Sequence, residues 1–185
     1  MNRFRSVGIV VAVIAAAPLS RAAEVPEFPQ PQKEHQWLQQ LVGEWEADVE
    51  MFMEPGQPPV KSSATESVRA VGGFWVVAES HGDVMGHPFT GLMMLGYDVE
   101  TAQYVGTWID SMNGYLWKYE GTRDPSGKVL TLHAKGPCPM APGELSQFKE
   151  VLELKSPDHK VFSSSIQGKD GKWMKVMTIN YRRTK

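Results

Sequence analysis

The chain has 185 residues, a formal charge of −2 and no basic run of the kind that coats a phosphate backbone, which argues against a nucleic-acid partner. Cys138 is the single cysteine, so no disulfide can form within the chain and stability has to come from core burial. A chain of this length fits one domain better than two.

The N-terminus reads as an export signal. Arg3 and Arg5 precede an apolar run from Val7 to Ala17, Pro18 stops the run, and Ser20-Arg21-Ala22 offers small residues at the two positions a signal peptidase reads. The run is well short of the ~20 residues that cross a hydrocarbon core, so cleavage after Ala22 is expected, with an uncleaved anchor as the alternative. Neither a twin arginine nor a cysteine behind the run suggests another export or lipidation route. Residues 1–22 are therefore read as a signal peptide. The mature protein would begin at Ala23 and, with Arg3, Arg5 and Arg21 removed from a chain of charge −2, carry a formal charge of −5. A periplasmic or secreted location follows, with no stable membrane span in the mature form.

Residues 23–32 contain Pro26, Pro29 and Pro31, a composition that favours an extended lead-in. The domain proper is read as residues 33–185. From Lys33 to Leu41 there is no glycine or proline, and Trp37, Leu38 and Leu41 fall on one side, so a short helix is predicted that ends at Gly43. The period then changes to two. Trp45, Ala47, Val49 and Met51 alternate with Glu44, Glu46, Asp48 and Glu50, the clearest in-and-out strand pattern in the chain.

Nine further strands are predicted at Lys61–Val71, Phe74–Gly82, Pro88–Tyr97, Gln103–Met112, Tyr115–Thr122, Lys128–Lys135, Leu145–Lys155, Lys160–Gln167 and Lys172–Arg183. Between them stand turn residues such as Gly72-Gly73, Asn113-Gly114, Asp124-Pro125-Ser126-Gly127 and Gly168-Lys169-Asp170-Gly171. Links this short join antiparallel neighbours, because parallel strands need crossovers of about a dozen residues or more. The predicted fold is all-β: a closed, up-and-down antiparallel barrel of about ten strands with one short N-terminal helix, closure removing the exposed edges. A β-sandwich is the alternative.

Four pieces of the sequence carry a resemblance. Leu41-Val42-Gly43-Glu44-Trp45, after a short helix and opening the first strand, is similar to the Gly-x-Trp start of lipocalins and their bacterial relatives. Gly73-Phe74-Trp75-Val76-Val77-Ala78-Glu79, Gly96-Tyr97-Asp98 and the stretch from Tyr104 to Met112, with its Gly-Thr-Trp-Ile-Asp-Ser-Met, resemble a bacterial, often exported family known as a domain of unknown function. The resemblance runs from about Trp37 to the C-terminus. It implies a lipocalin-like barrel and supplies no activity or catalytic residue. The lipocalin analogy further places Arg182 or Arg183, at the end of the last strand, over the Trp45 ring, with the helix closing that end of the barrel.

A barrel of ten strands encloses more room than one of eight, which is just wide enough to be filled by side chains or to hold one small ligand. Tyr104, Trp108, Asp110 and Met112 share one face of their strand, and Tyr115, Trp117 and Tyr119 share one face of the next. These residues are candidate walls of an apolar pocket, or simply core. Trp75, Val77, Glu79 and His81 share a face as well. Turned inward, Glu79 and His81 would be buried ionisable groups in need of partners; the opposite face, Phe74, Val76, Ala78 and Ser80, is more uniformly apolar, which favours leaving them in water.

The leading reading is a barrel that binds a small, largely apolar molecule inside. Trp75, Trp108, Tyr115 and Trp117 are its candidate walls, and Glu79 or Asp110 its polar handles. The rival readings are an enzyme using Glu79 and Asp110 as a carboxylate pair in the same cavity, and a filled barrel serving as scaffold or partner-binding protein. No cofactor is predicted. The five histidines lack zinc- or haem-binding spacing, and Met51-Phe52-Met53 and Cys138-Pro139-Met140, soft groups suited to monovalent copper, read more simply as core filling. No Gly-x-Ser-x-Gly elbow and no Gly-rich nucleotide loop occurs.

Overall fold

Period-two alternation persists through ten strands, and each strand pairs with the next in sequence. In the computed structural model, which describes residues 28–54, 56–139, 141 and 143–185, helix α1 (Lys33–Gln39) precedes β1 (Gly43–Met51), β2 (Val60–Val71), β3 (Trp75–Val84), β4 (His87–Asp98) and β5 (Gln103–Asp110). Then come β6 (Asn113–Arg123), β7 (Val129–Pro137), β8 (Leu145–Ser156), β9 (His159–Gln167) and β10 (Trp173–Arg183). The strands form a closed barrel in chain order, sealed by antiparallel pairing of β1 with β10, with Trp45 opposite Arg183 and Ala47 opposite Tyr181. The predicted closed barrel with one short helix is thus the observed fold, and the sandwich is excluded. The predicted signal segment and its cleavage site lie outside the described residues, as does Met140. No helix among the described residues is long and apolar enough to cross a membrane.

The helix is shorter than the predicted Lys33–Leu41, because its last turn tightens: the N–H groups of Gln40 and Leu41 donate to the carbonyls of Trp37 and Leu38, three residues back. It caps the end of the barrel where β1 begins and β10 ends. Trp37, Leu38 and Leu41 are buried, each worth about 1.5–3 kcal/mol when fully withdrawn from water. Polar contacts fix the angle of the lid. The Trp37 indole donates to the Gly127 carbonyl at 2.7 Å, and the Tyr104 hydroxyl reaches the Glu34 carbonyl at 3.3 Å. His35 accepts from the Gln32 N–H at 2.9 Å and donates through Nε2 to the Tyr97 carbonyl at 3.1 Å.

Arg183 completes the lid, as the lipocalin analogy implied. Its guanidinium lies 4.1 Å from the centre of the Trp45 ring, and it donates to the carbonyls of Gln40, Val42 and Pro157. Arg182 points the other way and pairs with Asp48 on the surface. Gly43 is required here on two counts: its φ is +139°, and a Cβ would run into the Arg183 guanidinium and the Lys185 carbonyl.

Candidate functional site

At the end opposite the lid the barrel stays open, and a cavity of about 380 Å³ extends inward from it. That is room for roughly a dozen small-molecule atoms at the ~30 Å³ each water occupies, near the lower end of ordinary ligand pockets. Its walls are the inward faces of the strands, among them Val49, Val76, Met93, Leu152, Phe162 and Ile179.

Two of the predicted walls line it. Trp108 stacks on Phe89 with ring centres 6.2 Å apart, and Trp117 meets Phe148 edge-on at 4.8 Å. Rings of this size would fill a narrow barrel, but each lies over an inward-facing glycine. A Cβ at Gly91 would collide with the Trp108 ring, and one at Gly136 with the Trp117 ring. The missing side chains are recesses that hold the indoles flat against the wall and keep the lumen open.

The other candidates are redistributed. Trp75 lies on the outer surface, its ring across Gly96, because Val76, Ala78 and Ser80 take the interior. Glu79 is likewise outside, half exposed and 3.1 Å from His81. Both are corrected from interior wall and handle to exterior residues. Tyr115 does not line the cavity. Ladder pairing between β6 and β7 spans only Glu120–Arg123 against Leu130–His133, and at the seam beyond it Tyr115 packs on Trp117 and donates to the Lys135 carbonyl at 3.0 Å.

Asp110 lines the mouth, yet its oxygens are engaged by the protein. Oδ2 accepts from the Trp108 indole at 2.9 Å, and Oδ1 from the backbone N–H groups of Met112 and Asn113 at 2.8 and 3.2 Å. It therefore pins the β5–β6 turn and the Trp108 ring, rather than standing ready as a handle. With Glu79 outside and Asp110 inside, the proposed carboxylate pair does not exist. Among the described residues no cluster of three or more potential metal ligands is present.

The charged groups that do face the interior lie on strands where one ionisable residue interrupts an apolar face. On β8, Glu150 follows Phe148 and precedes Leu152; on β2, Glu66 sits between Ala64 and Val68; on β9, Lys160 precedes Phe162. Near the lid, Lys160 donates to Glu66 at 2.5 Å, beneath the rings of Trp45 and Tyr181, whose centres are 4.3 and 4.7 Å from the ammonium. Ser80 reaches the other Glu66 oxygen at 3.4 Å. Burial pulls the Lys160 ammonium below the ordinary lysine value, and the Glu66 charge opposes that pull. Tyr181, also hydrogen-bonded to Glu66, is pushed well up by burial.

Glu150 stands apart from this pair and is only 5% exposed. One oxygen accepts from the Ser164 hydroxyl at 3.0 Å, while Oε2 has no protein hydrogen-bond partner among the described residues. Burial raises its pKa to about 8, with the Ser164 bond pulling weakly the other way, so near pH 7 the side chain is mainly a neutral acid. Tyr119, two strands away on β6, is pushed up by its own burial and then by the Glu150 and Asp110 charges.

Residues 30–183 match the model of a family described as protein of unknown function, DUF1579. None of the curated proteins matches the sequence significantly. Among solved structures, the chain is similar to the crystal structure of Rv2717c from M. tuberculosis, with a TM-score of 0.59 and 14% identity over 84% of this chain and 100% of that one. It also matches a redesigned β-barrel, with a TM-score of 0.43 and 14% identity over 82% of this chain and 96% of that one.

Proposed function

The chain belongs to the family of proteins of unknown function DUF1579, and for this member we propose that the barrel binds a small, largely apolar molecule in its interior. One observation carries the reading: the lumen is open at one end and apolar, with Trp108 and Trp117 held against its walls by glycines that serve no turn. A barrel built only as a scaffold has no need of that arrangement, since side chains at Gly91 and Gly136 would push the two indoles off the wall and into the lumen, where they would fill it.

The test uses the two indoles. In a panel of neutral alkylbenzenes, small terpenoids and aromatic metabolites of about a dozen non-hydrogen atoms, a ligand should quench tryptophan fluorescence saturably and raise the melting temperature, with about 2.7 kcal/mol of added stability at one hundred times its Kd. Trp108→Ala should weaken that binding; its own stability is measured in parallel, because the truncation also opens a void. Absence of both quenching and thermal shift across the panel would favour the scaffold.

The same proposal places the protein outside the cytoplasm, supported by the charged, apolar and small-residue segments of residues 1–22. Protein recovered from the cell envelope or medium should have an intact mass beginning at Ala23. A retained Met1 would count against export by cleavage.

A further inference from the structure

Resting on the interior-site reading, we infer that Glu150 is the polar anchor of the cavity and selects neutral molecules with one hydrogen-bond acceptor, such as a ketone carbonyl on an apolar skeleton, over carboxylates and amines. Glu150 lines the cavity, and its neighbours in the ladder are Leu132 on β7 and Ser164 on β9. The Ser164 hydroxyl occupies Oε1, which leaves the acid proton to Oε2, the oxygen without a protein partner. That oxygen is shielded from water where it stands. The terminal torsion of glutamate is soft, however, so the carboxyl group can turn its proton toward an occupant without moving the strand, the Ser164 hydroxyl turning with it to stay on Oε1. A buried donor left unpaired costs about 1–3 kcal/mol, which an acceptor on the ligand would recover.

The charge balance of the lining favours a neutral guest. Besides Glu150, its ionisable groups are the Glu66–Lys160 pair, Tyr119, Tyr181, and Asp83 and Asp110 toward the mouth. Among the described residues of the lining Lys160 is the one cation, and it is already bound to Glu66 and covered by Trp45 and Tyr181. A carboxylate would therefore enter an apolar space with no available cation, facing acids. An ammonium group would have to shed its water beside Glu150, a group that burial keeps protonated, and the desolvation of both charges opposes the pair. A carbonyl asks for neither.

The experiment titrates one skeleton in four forms, propylbenzene, benzyl methyl ketone, phenylacetate and phenethylammonium, into the folded chain by calorimetry at pH 6.5. The ketone should bind about tenfold more tightly than propylbenzene, the difference one well-made hydrogen bond supplies, and more tightly than either ion. In Glu150→Leu the ketone and the hydrocarbon should bind alike. Glu150→Gln keeps a donor that cannot ionise, so it should retain the ketone preference, and retain it at pH 9, where the wild type loses it. Equal binding of ketone and hydrocarbon by the wild type, a preference for either ion, or an unchanged preference in Glu150→Leu each overturns the anchor while the interior site stands. If even propylbenzene fails to bind, the interior-site reading falls with it.

Discussion

Replacing Lys160 by methionine should destabilise the barrel by about 3–5 kcal/mol, the usual result of removing one partner from a buried ion pair. The geometry makes this a severe case, because Glu66 is 9% exposed and Lys160 3%, and among the described residues the ammonium is the only cation bonded to that carboxylate. Ser80 and Tyr181 would remain as neutral donors, too few to replace a charge. Lys160→Met combined with Glu66→Leu should recover most of the loss, since a buried pair replaced by apolar groups of similar volume is often neutral or better. Urea unfolding of the two variants checks both statements. A single variant within about 1 kcal/mol of wild type would mean that the pair carries little of the stability of the lidded end.

Folding stability should fall as pH rises from about 5 to 8, and Glu150 should account for as much as ~4 kcal/mol of that fall. The unfolded carboxyl group titrates near 4.5, whereas burial holds the folded one protonated to about 8. Below 4.5 both states keep the proton; between the two values only the folded state does, and each step upward in pH favours the unfolded chain. Above about 8 both are ionised and this contribution levels off. Glu150→Gln should flatten the profile across that window while leaving the shape outside it unchanged. Denaturant midpoints measured at half-unit intervals decide the matter, and a variant that keeps the full wild-type slope would show that the proton is not held at Glu150.

The barrel was legible because its strands alternate so regularly and are joined by turn residues too few to allow a crossover. The face each strand turns inward was harder. Both faces of β3 carry apolar residues; the more uniformly apolar one, with Val76 and Ala78, turns inward as its composition favours, and Gly96 on the neighbouring strand offers the Trp75 ring a seat outside. Composition within one strand cannot reveal that seat. Glu79 followed Trp75 to the surface for the same reason.

Glu150, Glu66 and Lys160 did leave a signal, as single charged residues on faces otherwise made of Phe148, Leu152, Val68, Phe162 and Ile166. What no local pattern shows is who pairs with whom. Lys160 and Glu66 are 94 residues apart and meet only because closure brings β9 near β2 across β10 and β1. Among the described residues Glu150 is left without an ionic partner by the same geometry. Asp110 is a different case: it shares the Trp108 face, as its spacing predicts, but its oxygens are engaged by the Trp108 indole and by the turn it precedes, which one-dimensional spacing does not show.

A crystal structure of the barrel grown with benzyl methyl ketone shows directly whether the interior takes a neutral guest at Glu150. The ring should sit between Trp108, Trp117 and Phe148, with the carbonyl oxygen within about 3 Å of a Glu150 oxygen. A ketone found only on the outer surface, with the lumen closed by rearranged side chains, would contradict this placement.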